Sequence, residues 1–442
     1  MKKVYCLLWL AALCCLTHAE SFPQRNNIPT IYINTRTGQD PQDKVNELRC
    51  MIRVVSGGKV QIADSGYVRL RGNASKSFPK KPYHIRFDFK HNVLGAPSSA
   101  KRWTLINNYG DKTLMRNILA FDLSRRLEMP YTPFIKAVEV VMNGDYKGCY
   151  QLCDQIQVHE GRVEVDANGF LVEADAYADD EDVYFWSNQG TPVSIHYPKA
   201  ENITNAQKSN IKTLYNQIEK SGHPNLDRAT FLRHFLVGEI SGNTDTYWST
   251  YFYKRSDNNS IFTGPVWDFD LAYENDNRTY PICSKCGNSY IYNSYGSFCS
   301  YALAQTVTDI VGSGDGKQQL ESIYAYYRDR GVISVEALTA VVDSLEDLLE
   351  LAAYDNFQRW PILNQYVHQN PRVGGTYAKE VQWVRDYIAQ RIPWMDRKLN
   401  YTPNGLNDAA ITTPKTEKRI QNGRVVIVRN GEIFDVLGNR ID

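Results

Sequence analysis

The sequence lacks an excess of either charge, and after its first twenty residues it lacks any long apolar run. Its 50 Lys and Arg residues nearly balance its 49 Asp and Glu residues, which leaves a formal charge of +1. Without a basic field, nucleic acid is not an expected partner. No later segment approaches the ~20 uninterrupted apolar residues of a membrane-spanning helix, so no membrane span is expected.

Histidine is also sparse, with 8 residues in the chain. His84, His159 and His196 are scattered, and their spacing is typical neither of a catalytic triad nor of a metal site. A trypsin-like or metalloprotease activity is therefore not expected from this sequence.

Cysteines are few once the first 19 residues are set aside, and the remaining ones are Cys50, Cys149, Cys153, Cys283, Cys286 and Cys299. Structural disulfides are the first interpretation for an oxidising compartment. Cys283, Cys286 and Cys299 are instead compatible with three zinc thiolates, and free thiols are the third interpretation. The spacing does not define a pairing.

The first residues have the pattern of a secretory signal. Lys2 and Lys3 precede an apolar run from Val4 to Leu16, and small residues suited to cleavage follow. We therefore expect residues 1–19 to be removed and the protein to be secreted or held at the cell surface. A lipoprotein anchor at Cys14 or Cys15 is the alternative.

Short strands are predicted in the first part of the chain. TIYIN and PYHIRFDF alternate between apolar and polar residues, and the second stretch places Tyr83, Ile85, Phe87 and Phe89 on one face. KVQIADSGYVRLRG is interpreted as two short strands around Asp64-Ser65-Gly66. One helix is predicted within this part, over DKTLMRNILAFDLSRRL.

The periodicity becomes helical after about residue 200. Helices are predicted over residues 204–219 and 227–240, and the stretch 300–399 is dominated by helices with apolar stripes. The sequence therefore predicts an α+β protein with a β-rich N-terminal lobe over about residues 30–175 and a mainly helical C-terminal lobe over about residues 200–401.

The C-terminal residues 402–442 are predicted to be a polar linker followed by a β-hairpin around Asn430-Gly431. The hairpin is too small to be stable alone. It resembles the short sorting tails of proteins exported by the type IX pathway of Gram-negative bacteria, and this resemblance implies a location at the cell surface or outside the cell.

Three aspartates flank a predicted hairpin in GNTDTYWSTYFYKRSDNNSIFTGPVWDFD. Asp245 follows a helix that Gly242 can end, while Asp268 and Asp270 follow the second strand. Phosphoryl transfer needs a carboxylate that orients the attacking hydroxyl and a Mg²⁺ ion on the phosphates, and Mg²⁺ prefers oxygen ligands. Turn capping and a carboxylate-pair hydrolase remain alternatives.

A glycine-containing turn surrounded by cations occurs earlier, in RLRGNASKSFPKKPYHIRFD. Its backbone can approach phosphates at Gly72, and basic side chains are available to neutralise them. We predict that Arg71, Lys80 or Lys81 faces Asp268 across a single cleft between the two lobes.

Other polar residues near these motifs allow more than one interpretation. The cluster at the start of the first helix, which contains Asp111, Arg116 and Asn117, is suited either to capping and a salt bridge or to a cleft-facing role. Trp267 is expected to pack in the core, and Glu239 is expected on the surface.

Five separated motifs resemble those of the CotH kinase family, the secreted atypical kinases related to spore coat protein H. They are RLRGNASKSFPKKPYHIRFD, NNYGDKTLMRNILAFDL, YTPFIKAVEVVMNGDYKGCYQL, GNTDTYWSTYFYK and GPVWDFDLAYEN, and they span roughly residues 30–400. The resemblance implies a bilobal, divergent protein-kinase-like fold over residues 20–401. It also implies ATP and Mg²⁺ as cofactors and phosphorylation of Ser or Thr in secreted or surface proteins.

The resemblance implies roles for the predicted aspartates. Asp245 is similar to the catalytic-loop aspartate, and Asp268 is similar to the metal-binding aspartate, with Asp270 as its helper. Ser249 and Thr250 stand in the region where a kinase carries an asparagine. A pseudokinase, or a non-catalytic surface protein that binds or scaffolds, therefore remains the alternative.

The cations are assigned in the same way. Arg71, Lys80 and Lys81 are similar to the phosphate-contacting region. Lys81 is the first candidate for the lysine that contacts ATP, and Arg86 is the second.

Overall fold

A computed structural model describes residues 21–282, 290–294, 301–312 and 314–403, together with the backbone of residues 416–421, 424–429, 432–434 and 440–441. The architecture is mixed α+β, with strands concentrated in the N-terminal part and helices in the C-terminal part. The predicted signal peptide lies outside the described residues.

Seven strands close into a barrel near the N-terminus. They are β1 (Thr30–Thr35), β2 (Leu48–Ser56), β3 (Lys59–Leu70), β4 (Tyr83–His91), β5 (Ala100–Ile106), β6 (Ile135–Met142) and β7 (Asp145–Asp154), in the order β1-β2-β3-β4-β5-β7-β6. A parallel pairing of β1 with β6 completes the ring of otherwise antiparallel strands. Apolar side chains from every strand fill the interior.

The prediction of two short strands around Asp64-Ser65-Gly66 is wrong, because β3 runs through these residues without a turn. Asp64, Ser65 and Gly66 continue the pairing with β2. A side chain at Gly66 would place its Cβ 2.4 Å from the carbonyl oxygen of Arg86. The glycine therefore allows β4 to approach closely and does not mark a turn.

The predicted alternation of β4 holds for Tyr83, Ile85 and Phe87, which are buried in the barrel, but fails for Phe89, which is 70% exposed. The β4–β5 pairing shifts register between Arg86 and His91. Such a bulge turns the following side chains away from the face that they would otherwise share.

A second sheet follows the barrel in the chain. It contains β8 (Phe170–Ala174), β9 (Tyr184–Trp186), β10 (Pro192–Tyr197), β11 (Thr250–Lys254) and β12 (Ile261–Thr263), in the order β12-β11-β8-β10-β9. The predicted hairpin is therefore β11–β12, and it pairs with β8 so that Tyr251 lies opposite Glu173.

The helices are α1 (Arg116–Arg126), α2 (Asn205–Tyr215), α3 (Arg228–Ser241), α4 (Ile291–Ser294), α5 (Tyr301–Val311), α6 (Gly314–Asp329), α7 (Val335–Arg359) and α8 (Tyr377–Lys398). As predicted, α3 begins at Asp227, whose carboxylate accepts a hydrogen bond from Thr230 N at 2.8 Å. It ends at Gly242, which has a φ of 68°.

The last residues form a small antiparallel sheet of β13 (Thr416–Gln421), β14 (Arg424–Arg429), β15 (Glu432–Phe434) and β16 (Arg440–Ile441). The predicted strands on either side of Asn430-Gly431 are confirmed, because Arg429 pairs with Glu432. The turn residues themselves lie outside the described part of the chain.

Cys50, Cys149 and Cys153 are buried free thiols, so the expected disulfides do not involve them. Cys283, Cys286 and Cys299 lie outside the described residues. Among the described residues, no helix is both long and apolar enough to span a bilayer.

Candidate active site

Asp245, Asp268 and Asp270 come together where α3 and the β11–β12 hairpin end. The charges of Asp268 and Asp245 both raise the pKa of Asp270, and the charge of Asp268 raises that of Asp245. The Asp268 side chain is exposed and that of Asp270 is half-buried, while Asp245 is 34% exposed. The predicted aspartates therefore share one solvent-accessible cleft.

Three asparagines fix the loop that carries Asp268 and Asp270. Asn117 Oδ1, on α1, accepts a hydrogen bond from Phe269 N at 2.8 Å. Asn243 Nδ2 donates to the carbonyl oxygen of Asp268 at 3.3 Å, and Asn275 Nδ2 donates to that of Asp270 at 2.8 Å. These contacts hold Asp268 in a left-handed conformation with a φ of 63°, which aspartate tolerates better than most residues.

The start of α1 supports the same loop. The buried carboxylate of Asp111 accepts hydrogen bonds from Thr113 N at 3.0 Å and Arg116 N at 2.9 Å, and it pairs with the Arg116 guanidinium at 2.5 Å. Arg116 Nε also donates to the carbonyl oxygen of Ala272 at 2.9 Å. Asp111 thus accepts hydrogen bonds from backbone N–H groups at the start of α1, while Arg116 and Asn117 attach the helix to the aspartate loop.

Arg278 contacts Asp245 directly. Its Nη2 lies 3.3 Å from Asp245 Oδ1 and 2.6 Å from Asp276 Oδ2, and its Nε lies 2.9 Å from both oxygens of Asp276. Asp276 is fully buried. A buried carboxylate therefore holds the guanidinium against the Asp245 side chain.

Asp245 has a perturbed acidity. Burial in the cleft raises its pKa to about 6, the charge of Arg278 opposes this shift, and the charges of Asp268 and Asp276 add to it. A carboxyl group that titrates near neutrality is suited to accept a proton from a hydroxyl group.

Asp268 and Asp270 carry uncompensated negative charge. Desolvation by the surrounding protein is the first cause of the raised pKa of both groups, although Asp268 reaches the surface at one side, and for Asp270 the charge of Asp268 is the second cause. Neither carboxylate forms a hydrogen bond or ion pair with another side chain among the described residues. Two neighbouring carboxylates repel each other when both are ionised, so the pair favours the binding of either a proton or a cation.

Arg71, directly after β3, comes near Asp268. Its guanidinium is 5.6 Å from the centroid of the Trp267 ring, and its charge lowers the pKa of Asp268. The predicted approach of a cation from the glycine-containing turn to Asp268 is thus present for Arg71. Trp267 also packs on Phe121, with ring centroids 6.3 Å apart, in agreement with a packing role.

The other predicted cations do not contact the three aspartates. Lys80 is buried, and its Nζ donates to Cys149 O at 2.6 Å and to Asn356 Oδ1 at 2.7 Å. Burial lowers the pKa of Lys80 to about 8. Lys81 Nζ donates to the carbonyl oxygen of Lys76 at 2.9 Å.

Arg86 is engaged on the barrel wall. It pairs with Glu47 at 2.5 Å, and its guanidinium lies 4.1 Å from the centroid of the Tyr67 ring. The strand period explains this placement, since Arg86 alternates with the inward-facing Ile85 and Phe87. The prediction that Lys80 or Lys81 faces Asp268 is therefore wrong for those two residues.

The expectation that Glu239 lies on the surface is also wrong. Glu239 is 3% exposed and pairs with Arg391 at 2.8 Å. Its carboxylate also accepts a hydrogen bond from Ile291 N at 3.0 Å. Because α3 is enclosed along most of its length, its one acidic residue faces the neighbouring helix α8.

Two further residues at the cleft lie outside any recognisable sequence motif. Glu173, on β8, raises the pKa of Asp268 and binds His196 Nε2 at 2.7 Å. His368, between α7 and α8, also interacts with the charges of Asp268 and Arg278. Both come from segments distant from the aspartates in sequence, so only the tertiary fold brings them to the cleft.

The residues present suit a magnesium ion. Asp268 and Asp270 supply hard oxygen atoms, and the buried Asn243 Oδ1 has no hydrogen-bond partner. The described residues contain no group of three or more His, Cys, Asp or Glu side chains arranged around a metal. Mg²⁺ usually takes one or two carboxylates and completes its shell with water and substrate phosphates, so two aspartates are a sufficient set of protein carboxylates.

Comparison with known families agrees with this site. A family model described as CotH kinase protein matches residues 68–395, which is most of the chain. The chain therefore belongs to the CotH kinase family, and the membership supports a kinase-like phosphotransferase activity. A comparison with curated proteins finds no match.

Proposed function

We propose that this protein is a secreted or surface kinase that transfers the γ-phosphate of ATP to Ser or Thr hydroxyls of other proteins, with Mg²⁺ as its cofactor. The observation that carries the proposal is the grouping of Asp245, Asp268 and Asp270, with the Arg71 charge close enough to Asp268 to lower its pKa. Carboxylates on one wall and a cation on the other suit a polyanion bound through a metal ion.

In this proposal the barrel and the helical part act as the two lobes of a divergent kinase-like fold. Asp268 and Asp270, with the side-chain amide oxygen of Asn243, would hold Mg²⁺, and the ion would supply positive charge to neutralise the phosphates. Arg71 binds phosphate oxygens from the barrel side. The three asparagines that fix the aspartate loop keep the metal ligands in place before the nucleotide arrives, which limits the reorganisation needed for reaction.

Asp245 acts as the group that orients the acceptor hydroxyl and receives its proton. Arg278 holds the Asp245 carboxylate in one orientation and favours its ionised form, because its charge lowers the Asp245 pKa. The fixed pair of Arg278 and Asp276 gives this contact little freedom to move.

A paired measurement tests the proposal. The purified protein is incubated with radiolabelled ATP, Mg²⁺ and a generic protein acceptor, and Mg·ATP binding is measured by calorimetry. The parent is expected to bind Mg·ATP and label Ser or Thr, whereas Asp268→Asn is expected to keep its fold and lose metal-dependent binding, because the amide lacks the charge that holds the ion. Binding without any transfer would favour the pseudokinase alternative, and equal binding by both proteins would remove Asp268 as the ligand.

A further inference from the structure

A large pocket opens at the mouth of the barrel, away from the aspartates. Its cavity volume is about 830 Å³, and Leu70, Tyr83 and Tyr150 from the barrel core form its floor. The loop between β1 and β2, the turn between β3 and β4 and the end of α7 surround the opening. None of Asp245, Asp268 and Asp270 lines it.

The pocket carries an excess of positive charge. Its lining includes the cations Lys44, Lys76, Lys81, Lys147 and Arg359 and the acids Asp40 and Asp43. Lys147 pairs with Asp40 at 2.5 Å and with Asp145 at 2.8 Å, and Arg359 pairs with Asp145 at 3.2 Å.

Three lysines of the lining have no acidic partner within the described residues. Lys44 Nζ donates to the amide oxygen of Asn73, and Lys81 Nζ to the carbonyl oxygen of Lys76. The remaining acid, Asp43, accepts hydrogen bonds from Val45 N at 2.8 Å and Asn46 N at 2.6 Å and is used within its own loop. Lys44, Lys76 and Lys81 therefore bring positive charge to the opening that no carboxylate of the described residues pairs with.

The rest of the lining favours a ring. Trp360 presents a partly exposed aromatic surface and Pro79 an exposed apolar one, above the buried rings of Tyr83 and Tyr150. The volume is in the range of pockets that hold small organic molecules and is much larger than one inorganic anion requires. The occupant that fits both features is a ring compound carrying an anionic group.

Packed rings run from this pocket towards the aspartate cleft. Trp360 contacts Tyr109 with centroids 6.1 Å apart, Tyr109 contacts Phe78 at 5.5 Å, and Phe78 contacts His368 at 5.3 Å. His368 in turn interacts with the charge of Asp268. The pocket lining contains none of Asp245, Asp268, Asp270 and His368, so the pocket and the aspartate cleft are separate sites.

We propose that the barrel-mouth pocket binds a phosphate monoester carried on a sugar ring, with Lys44, Lys76 and Lys81 at the phosphate and Trp360 against the ring. The proposal is independent of the kinase activity. The source of such a ligand is either a free sugar phosphate or a nucleotide.

Calorimetry without divalent metal, in EDTA, tests this site with glucose 6-phosphate, AMP, glucose and inorganic phosphate as probes. We expect saturable binding of glucose 6-phosphate or AMP that is at least tenfold tighter than that of glucose or phosphate. Preference for one of the two esters identifies the source. The variant K76Q/K81Q should lose at least tenfold in affinity, while K90Q/K101Q, which removes two exposed lysines from β4 and β5, should match the parent.

Two results would overturn the proposal. One is the absence of saturable ester binding at millimolar concentration by a parent that melts cooperatively. The other is ester binding that K76Q/K81Q leaves unchanged or that Asp268→Asn abolishes, since either would place the ligand elsewhere. Because neither ATP hydrolysis nor transfer is measured, these results are separate from those that test the kinase activity.

Discussion

Asp245 is placed between two opposing influences, the guanidinium of Arg278 and the carboxylates of Asp268 and Asp276. If it orients the acceptor hydroxyl, it acts mainly in the transition state and contributes little to nucleotide binding. Asp245→Asn should then reduce phosphate transfer by on the order of 10²-fold or more, with Mg·ATP affinity near that of the parent. Transfer and calorimetric affinity are measured on the same preparations.

If Asp245 has only a structural role, the expected outcome of the substitution is different. Loss of its contact with Arg278 would then lower the free energy of unfolding by about 1 kcal/mol or less, as for a partly exposed ion pair, and transfer per folded molecule would stay unchanged. Melting temperatures recorded beside the transfer assay separate the two cases.

The acidity of Asp245 gives a pH prediction. A base must be ionised to accept a proton, so kcat/KM should rise with pH through an apparent pKa of about 6. Arg278 lowers the Asp245 pKa, so Arg278→Gln should move this acid limb to higher pH, whereas Arg278→Lys should keep it nearer the parent position. An acid limb that stays in place in Arg278→Gln, with activity merely scaled down, would contradict the coupling.

At the scale of elements, one of the two buried hydrogen bonds that link α1 to the aspartate loop runs from Phe269 N to Asn117 Oδ1. Asn117→Ala leaves that amide without its acceptor and should cost about 1–3 kcal/mol in the free energy of unfolding. Mg·ATP affinity should also fall, because the loop with Asp268 and Asp270 loses one of its three anchors. Chemical denaturation and calorimetry measure the two effects.

Asn168→Ala serves as the matched control, because Asn168 is an exposed loop residue whose side chain makes no contact with the cleft. It should change stability by less than about 0.5 kcal/mol. If Asn117→Ala behaves like this control in nucleotide binding, the α1 anchor is not needed for the site.

Local signals predicted individual elements well and their pairing less well. The ends of α3 could be predicted from Asp227 and Gly242, because capping depends on residues that are close in the sequence. The prediction of a turn at Gly66 was wrong. A glycine that allows two strands to approach closely cannot be distinguished in the sequence from a glycine that allows a turn. The pairing of β8 with β11 joins residues far apart in the chain, and no local pattern reports it.

At the scale of the whole molecule, the aspartates were predictable and most of the cationic wall was not. Asp268 and Asp270 belong to one short motif, so their proximity follows from the chain itself. The turn between β3 and β4 carries cations in several directions: Arg71 faces the cleft, Lys80 enters the interior and Lys81 faces the barrel mouth. Charge counting detects the cations in such a turn, and only the fold decides which surface each one reaches.

Arg71 and Arg86 offer a direct test of how the barrel and the helical part cooperate. If Mg·ATP is held between Arg71 and the Asp268 loop, bound nucleotide should stabilise the protein by about 2.7 kcal/mol when its concentration is 100 times the dissociation constant. Arg71→Gln should reduce this stabilisation, because one wall of the cleft loses its charge. Arg86→Gln should preserve it, because Arg86 is paired with Glu47 on the barrel wall.

The measurement is the shift in melting temperature on adding Mg·ATP, with an EDTA blank for each variant. The shift, not the melting temperature itself, is compared, because Arg86→Gln also removes an ion pair and alters the baseline stability. Equal shifts in both variants and the parent would show that the barrel contributes no phosphate contact through either arginine. A shift that is lost in Arg86→Gln and kept in Arg71→Gln would restore Arg86 as the nucleotide-binding cation and would require the barrel to rearrange when the nucleotide binds.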